Sequence, residues 1–522
     1  AVAGDADYLG GSDGSFELTA VGSLGSTRQA QGLYISPDGT HVIFTTGEAW
    51  CVAPGSACKK SQEIQLEPNA PPTGTAAIYD RQPDGPTRVV SLLPTNLPPA
   101  GGEDAEYQGA SYDGTVVAFK IGGALYARIN NEETKKVTEG APTFAGLSAD
   151  GRYLFYVVAG NINRFDTGSG ISQSINSSGD AQVVNVSRDG SHVYFLSESQ
   201  LDGSEGTSGE PNLYVWDGQS VKYIATVLPS DRESTSGEGP HQAGLARWTS
   251  WAVNPDRDMA GAGGRGPGAD SSRTTPDGSV IAFESRASLT SFANAGHTEV
   301  YRYDDTSGDL LCVSCDPSVS PPTSDAHLQN LKIAHPPTII HNLSADGTRI
   351  FFETSDPLVG RDVDGINDVY EWEKQSGSAI PSVNLISSGQ SAAYPAPEAG
   401  DFPIPAPNVL MGATPEGNDV FFLSQDALTA GAGSGGASAI YDARIGGGFP
   451  HPASVAACTD LGVCQAGSAS GAPVLTPPRS SRRTKGNVKP NHRRCRQGKR
   501  AKDHRHHRHR CGKRHHQKGR AR

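Results

Sequence analysis

The chain has 522 residues, with 63 Gly, 36 Pro, 19% charged residues and a net charge of −12, a composition of turns and short extended segments rather than long helices. No apolar run approaches the roughly 18 residues of a membrane-crossing helix, which excludes a helical membrane protein. The net charge conceals two opposite parts: 19 of the 44 Lys and Arg, but only Asp503 among the 56 acidic residues, follow residue 478, leaving +18 on the tail and −30 on the rest.

From the N-terminus, residues 1–3 read "AVA", the small-x-small form of a signal cleavage site, which points to export. The stretch "GGSDG" at 10–14 fits G-x-S-x-G, but a nucleophile elbow needs a buried strand running into a helix. In so Gly-rich a segment Ser12 reads as a turn residue, followed by a strand near 15–22 in "DGSFELTAVG".

One pattern then recurs seven times: Ser or Thr, any residue, Asp, Gly, and an apolar run ending near a Phe. It reads "ISPDGTHVIFTT" (35–46), "ASYDGTVVAFK" (110–120), "LSADGRYLFYV" (147–157) and "VSRDGSHVYFLS" (186–197). It returns as "TTPDGSVIAFES" (274–285), "LSADGTRIFFET" (343–354) and "ATPEGNDVFFLS" (413–424). The turn residues are Asp38, Asp113, Asp150, Asp189, Asp277, Asp346 and Glu416. Asp-Gly suits a tight turn because Gly takes positive φ freely and the Asp side chain accepts from nearby amides. Runs such as "VIFTT" and "IFFET" have the content of buried strands, and short strands such as "GLYIS" and "VVNVS" precede the turns. Most copies are followed by a second hairpin signal opening near a Tyr, as in "AIYDRQPDGPTRVVSLL" and "EVYRYDDTSGDLLCVS". Two hairpins make a four-stranded antiparallel unit, and a chain of such units reads as a β-propeller. The spacing is uneven, 75 residues from Asp38 to Asp113 but 37 from Asp113 to Asp150, so insertions decorate some blades.

The repeat resembles the WD40-like β-propeller repeat of TolB-type periplasmic propellers. Stretches such as "NDVYEWE", "LISSGQS" and "YDARIGGGFP" look like those of a subgroup of large exported actinobacterial propellers. The resemblance covers residues 8–464 and implies an exported propeller; it brings no catalytic residues with it. The expected architecture is all-β: a seven-bladed propeller of four-stranded antiparallel blades over 1–464, with an insertion at about 229–272. A Pro/Ser/Gly linker (465–478) and a disordered Arg/His-rich tail (479–522) complete it. The seventh copy has a third strand but no clear fourth, so the strand near 15–22 is expected to complete the last blade. Alternatively, Tyr8 to Val21 is the second hairpin of an eighth blade.

The eight cysteines fall into close pairs, Cys51 with Cys58, Cys312 with Cys315, Cys458 with Cys464 and Cys495 with Cys511, which suits disulfides and an oxidising setting. "CVSC" at 312–315 sits at the end of an expected strand, with neither a helix N-terminus nor a second ligand pair close in sequence, so a structural disulfide is favoured over a redox or zinc role. "GAGGRG" at 261–266 matches G-x-G-x-x-G, but its flanks are loop-like and it reads as part of the insertion, whose Trp248 and Trp251 suit a cap on the propeller face. In "GRDVDGINDVYEWE", Asp362, Asp364 and Asp368 offer the oxygen ligands that calcium takes; the EF-hand order is absent, and a polar loop is the simpler reading. The tail has almost no apolar residues and cannot form a core. Its His504, His506, His507, His509, His515 and His516 suit a transition metal, and its charge suits an anionic polymer; no motif for sequence-specific nucleic-acid reading accompanies them.

The leading functional reading is an exported, non-enzymatic propeller that binds an envelope protein or anionic polymer, with no membrane span and no dedicated cofactor; calcium or a transition metal stays open. The rival is a propeller hydrolase or lyase, which needs carboxylates or His from several blades at the central channel. If the tail captures metal, deleting 479–522 abolishes nickel or zinc uptake in an equilibrium binding assay and leaves the propeller's circular dichroism unchanged. Unchanged uptake refutes that role.

Overall fold

The structure, a computed structural model, describes residues 30–46, 66–72, 75–83, 85–232, 271–316, 321–328, 340–375, 380–391, 408–429 and 438–446. It also places the strands Ala6–Gly10, Phe16–Val21, Ala49–Trp50 and Lys59–Lys60. All of these belong to the first of two units into which the chain divides, Ala1–Ala457; the second, Cys458–Arg522, lies outside the described residues.

Each repeat is a tight turn between antiparallel strands. In the first, the Asp38 carboxylate accepts from the Ser36 hydroxyl at 2.7 Å, the Thr40 amide at 3.0 Å and the Thr40 hydroxyl at 2.8 Å. The Ser36 hydroxyl oxygen accepts from the His41 amide at 3.0 Å, and the Gly39 amide donates to the Ser36 carbonyl at 2.8 Å. The Ser36 hydroxyl, with the Thr40 donors, holds the Asp38 carboxyl down at about 2. The same net recurs at Asp113, Asp150, Asp189, Asp277 and Asp346. At Glu416 the longer side chain is replaced in this role by Thr414, whose hydroxyl oxygen accepts from the Asn418 and Asp419 amides, each at 3.2 Å.

Seven antiparallel sheets follow in sequence, at 30–89, 105–138, 143–174, 182–226, 272–312, 326–385 and 408–444; the first six have four strands and the seventh three. They are the blades of a β-propeller, as the repeat requires. Among the described residues the only helix is the single turn Pro229–Arg232. The paired strands Ala49–Trp50 and Lys59–Lys60 fall in the long connection of the first sheet, between Val42–Thr46 and Ala77–Arg81, which accounts for its wide repeat spacing.

In most blades the second and third strands are largely covered on both faces, as in Val193–Ser197 and Asn212–Trp216, every residue of which is buried; the seventh blade is the most open, with Phe421 and Ile440 exposed. That is why they read as unbroken apolar runs rather than alternating ones. Most hydrophobic clusters span two sheets, while one, around Phe44, Tyr79 and Val89, belongs to the first sheet alone. Ile43 and Ile78 of the first pack with Val117 and Phe119 of the second, and Val280 and Val300 of the fifth with Ile350, Phe352 and Trp372 of the sixth. In six blades a Phe of the second strand stacks or tilts against a Tyr of the third at 5.5–5.8 Å between centroids, each pair adding about 0.5–1.5 kcal/mol beyond its buried area. In the third blade Phe155 pairs in register with Arg164 instead. Its second hairpin, Asn161–Asp166 with Ile171–Ser174, therefore lacks the Tyr signal.

Consecutive blades meet through the turns. The Tyr112 amide donates to the Ala149 carbonyl at 2.9 Å, the Asp189 amide to Pro276 at 3.0 Å and the Ala345 amide to Pro415 at 2.7 Å. The turn glycines all have positive φ, 68° to 78°. Six of them also face the preceding blade: a Cβ on Gly151 would lie 2.5 Å from Val116 Cγ2, and one on Gly278 would lie 2.6 Å from both His192 Cβ and Ser187 Cβ. Gly39, in the first sheet, has nothing within 4 Å.

The expected closure differs from the pairing observed. Phe16–Val21 pairs antiparallel with Ala6–Gly10 as a separate two-stranded sheet, not with the strands at 408–444. Strands joined by a short Gly-rich connection find each other first, because closing a local hairpin costs less chain entropy than closing a ring. Ala6–Gly10 lies against the innermost strand Ala30–Ile35, as the third strand Ala77–Arg81 lies against Ala105–Ala110 of the next sheet. The hairpin thus occupies the position of a second hairpin in a blade before the first.

Replacing Gly278 by Ala is expected to lower the urea midpoint more than replacing Gly39. Both substitutions incur the left-handed backbone penalty of about 1–2 kcal/mol, but only Gly278→Ala adds an overlap of about 1–3 kcal/mol. Equal shifts in urea titrations would mean that the turns do not clamp neighbouring blades.

Candidate functional site

Asp362 and Asp364 lie on the loop between Arg349–Thr354 and Asp368–Glu373, and Asp368 opens the latter strand. One carboxylate oxygen of each lies within 4.8 Å of the others. The loop folds back on itself through local bonds: the Asp362 amide donates to the Val359 carbonyl at 3.0 Å, and the Ile366 amide donates to Asp364 Oδ1 at 2.9 Å. Gly365 turns the chain at φ 68°. The segment after the blade's fourth strand closes over it, with the Val363 amide on the Gly389 carbonyl at 2.9 Å and the Ser391 amide on Asp364 Oδ2 at 2.6 Å. Gly389 is needed there, since a Cβ would lie 2.7 Å from the Asp362 Cα.

Two of the three carboxylates are deeply buried, Asp362 at 3% and Asp368 at 0% exposure, while Asp364 is half-buried. Asp362 Oδ2 accepts from the Tyr370 hydroxyl; Asp368 Oδ1 accepts from the Ser387 hydroxyl and, at 2.9 Å, from Asn408 Nδ2 of the seventh blade. The other oxygens, Asp362 Oδ1 and Asp368 Oδ2, have no hydrogen-bond partner. Burial pushes both carboxyls up. Asp368 reaches about 7, with the Asp364 and Asp362 charges adding to burial against the Ser387 hydrogen bond. The arrangement offers oxygen ligands only and favours either bound protons or a hard cation.

The fifth blade carries a related pocket. Glu299 accepts from the Ser314 hydroxyl at 2.5 Å, and burial pushes its carboxyl up to about 7. Its neighbours Cys312 and Cys315 are bonded to each other, at the end of the strand Asp309–Cys312. Neither sulfur is then a thiolate, which is what a metal ligand would need to be. These two groups of three, each drawn from one blade, are those among the described residues whose ligand atoms come close enough to hold an ion.

At the turn end of the innermost strands the chemistry is different. Arg188 stacks on the Tyr112 ring at 3.7 Å, the Tyr34 hydroxyl donates to the Tyr112 carbonyl at 2.7 Å, and Arg273 Nε donates to the Ile340 carbonyl at 3.0 Å. Burial, with the Arg273 and Arg188 charges, pushes the His341 imidazole down. Ile35, Tyr112 and Met411 are exposed, at 56%, 48% and 45%. First, second, fourth, fifth, sixth and seventh blades thus contribute apolar, aromatic and cationic groups to one rim.

Of the residues singled out in the sequence, the structure brings together Asp362, Asp364 and Asp368, and separately Cys312 and Cys315. Asp38, Asp113, Asp150, Asp189, Asp277 and Asp346 hold blade turns, Glu416 sits in the seventh turn, which Thr414 holds, and none of the seven belongs to the cluster. Cys51, Cys58, Cys458, Cys464, Cys495, Cys511, the "GAGGRG" insertion, Trp248, Trp251 and the tail histidines lie outside the described residues. Sequence reasoning missed Tyr370, Ser387, Ser391 and Asn408. "LISSGQS" was visible as a family-like stretch, but nothing local tied it to a loop some 25 residues earlier.

No family model matches the chain, and no curated protein matches it. Among solved structures it is similar to TolB from Acinetobacter baumannii, with 14% identity and a TM-score of 0.24 over 67% of this chain and 72% of that one. It is also similar to the β-propeller domain of the trilobed protease from Pyrococcus furiosus, described as having an open velcro topology, with 10% identity and a TM-score of 0.32 over 80% and 97%. A third is dipeptidyl peptidase 4 from Porphyromonas gingivalis, with 10% identity and a TM-score of 0.29 over 77% and 56%. The likeness is one of propeller fold. Among the described residues no helix is long and apolar enough to cross a membrane.

Because the folded Asp368 binds its proton more tightly than the unfolded chain does, its stabilising contribution is full below the ordinary carboxylate range and is lost as pH rises through about 7. In chelator, Asp368→Asn, which mimics the protonated form, is expected to gain melting temperature relative to wild type from about pH 4.5 to about pH 8. A difference independent of pH in thermal melts would overturn the assignment.

Proposed function

We propose that the protein is an extracytoplasmic, non-enzymatic propeller that serves as a protein-interaction or scaffolding module. The observation that carries this reading is the rim at the turn end of the blades. There the exposed Ile35, Tyr112, Arg188 and Met411 stand with His341 around the innermost strands. Aromatic, Arg and Met side chains are the ones enriched where proteins meet, and Tyr and Arg dominate contact energies. Arg188 and Tyr112 are already stacked, so a partner meets a preorganised surface and less side-chain entropy is lost on binding. The Cys312–Cys315 bond supports a location in an oxidising compartment. The basic tail adds a second contact, to anionic envelope polymers through charge and counterion release.

The test is a pull-down from envelope extract with three baits: the full chain, the chain without 479–522, and Arg188→Glu. The expected result is a protein partner kept by the shortened chain and lost from Arg188→Glu, with anionic polymer binding confined to the full chain and abolished by high salt. Equal capture by wild type and Arg188→Glu would sink the rim as the docking surface.

A further inference from the structure

We propose that Asp362, Asp364 and Asp368 form a structural calcium site that fastens the sixth blade's long loop at its junction with the seventh blade. Three carboxylates sharing a space of 4.8 Å repel one another unless something positive or a proton lies among them. Two independent signs point to a ligand. Asp362 Oδ1 and Asp368 Oδ2 belong to side chains more than nine-tenths buried, and each lacks a partner, although buried polar atoms are almost always paired. The loops of neighbouring blades show what is missing.

In the fourth blade the residue opening the third strand is Asn212. Its amide nitrogen donates to the carbonyls of Ser197, Thr207 and Glu210 at 3.3, 2.9 and 2.9 Å. Its oxygen accepts from the Thr207 amide at 2.8 Å and the Thr226 hydroxyl at 2.7 Å. In the fifth blade Asn294 plays the central part, donating to the carbonyls of Arg286 and His297 at 2.8 and 2.9 Å. In both loops an amide supplies positive donors to the centre. The sixth blade has Asp368 at the Asn212 position and two further carboxylates facing it, and the donors that reach them, from Tyr370, Ser387, Asn408 and Ser391, leave Asp362 Oδ1 and Asp368 Oδ2 unpaired. A cation there would do what the amide nitrogen does elsewhere.

The ligand chemistry selects the ion. Oxygens without nitrogen or sulfur disfavour zinc, and an irregular loop that mixes buried and half-buried carboxylates suits calcium's flexible six- to eight-fold shell better than magnesium's strict octahedron. Asp364 is the partly open side and leaves room for water ligands.

The test titrates calcium chloride into the chelator-treated full-length protein by calorimetry, with magnesium chloride as control, beside thermal melts. The expected outcome is one calcium site per chain, with a dissociation constant on the order of 10⁻³ M or tighter, a higher melting temperature with calcium, and weaker magnesium binding. Asp364→Asn keeps an oxygen for the Ile366 amide, so it is expected to fold by circular dichroism while losing about tenfold or more in calcium affinity. Asp362→Asn should remove the site altogether. No calcium heat and no melting shift in wild type, or an affinity unchanged in Asp364→Asn, would overturn the proposal. Because Asp364→Asn replaces a half-buried group, it decides the matter even if Asp362→Asn fails to fold.

Discussion

A glycine pressed between two blades is the constraint on which the rest of the structure depends. At Gly114, Gly151, Gly190, Gly278, Gly347 and Gly417 the chain needs a left-handed residue to close the turn; at Gly114, Gly151, Gly278 and Gly347 the preceding blade also leaves no room for a Cβ, and at Gly190 and Gly417 the fit is tight. The two demands are separate, and glycine alone meets both. The turn is therefore also the gauge that sets how closely one sheet follows the next. Once that distance is set, the second and third strands of the first, second, fourth, fifth and sixth sheets are largely covered on both faces, and most of the hydrophobic clusters span two sheets.

Inside that frame the innermost strands bulge at matching points, between Gly32 and Tyr34, Phe144 and Gly146, Val183 and Asn185, and Leu410 and Gly412. Bulges increase local twist, which suits short strands crowded at a common axis. The connection between the second and third strands escapes the clamp. It shrinks to Gly122 and Gly123 in the second blade and grows long in the fourth to sixth. One device keeps the long ones in place. The hydroxyls of Tyr214, Tyr301 and Tyr370 accept from the amides of Leu201, Leu289 and Leu358, and the first two donate to the carbonyls of Ser199 and Ala287. In the sixth blade the hydroxyl donates to Asp362 instead, so the carboxylate cluster is a variation on a loop anchor that other blades already possess.

The turns and the buried strand pairs were legible in the sequence because their causes are local. The Asp carboxylate and the glycine act within five residues, and burial on both faces leaves an unbroken apolar run. The third blade's outer hairpin gave a weaker signal, since Arg164 rather than a Tyr lies opposite Phe155. The closeness of Asp362, Asp364 and Asp368 could be read from their spacing on one loop. Their burial could not. It comes from Tyr370 below, from Ser387 and Ser391 after the fourth strand, and from Asn408 in the next blade, groups that only the stacking of sheets brings together.

By itself, then, the sequence determined the number of Asp-Gly turns, the strand-turn-strand unit around each, the separation of an acidic body from a basic tail and the pairing of Cys312 with Cys315. Each of these follows from short-range geometry or from composition. The tertiary structure alone decided that Phe16–Val21 pairs with Ala6–Gly10, that Arg188 lies on Tyr112 and that two of three neighbouring carboxylates are shut away from water without a partner. Those outcomes depend on which surfaces meet when one blade packs on the next, and the free energy of that packing is shared among residues far apart in the chain.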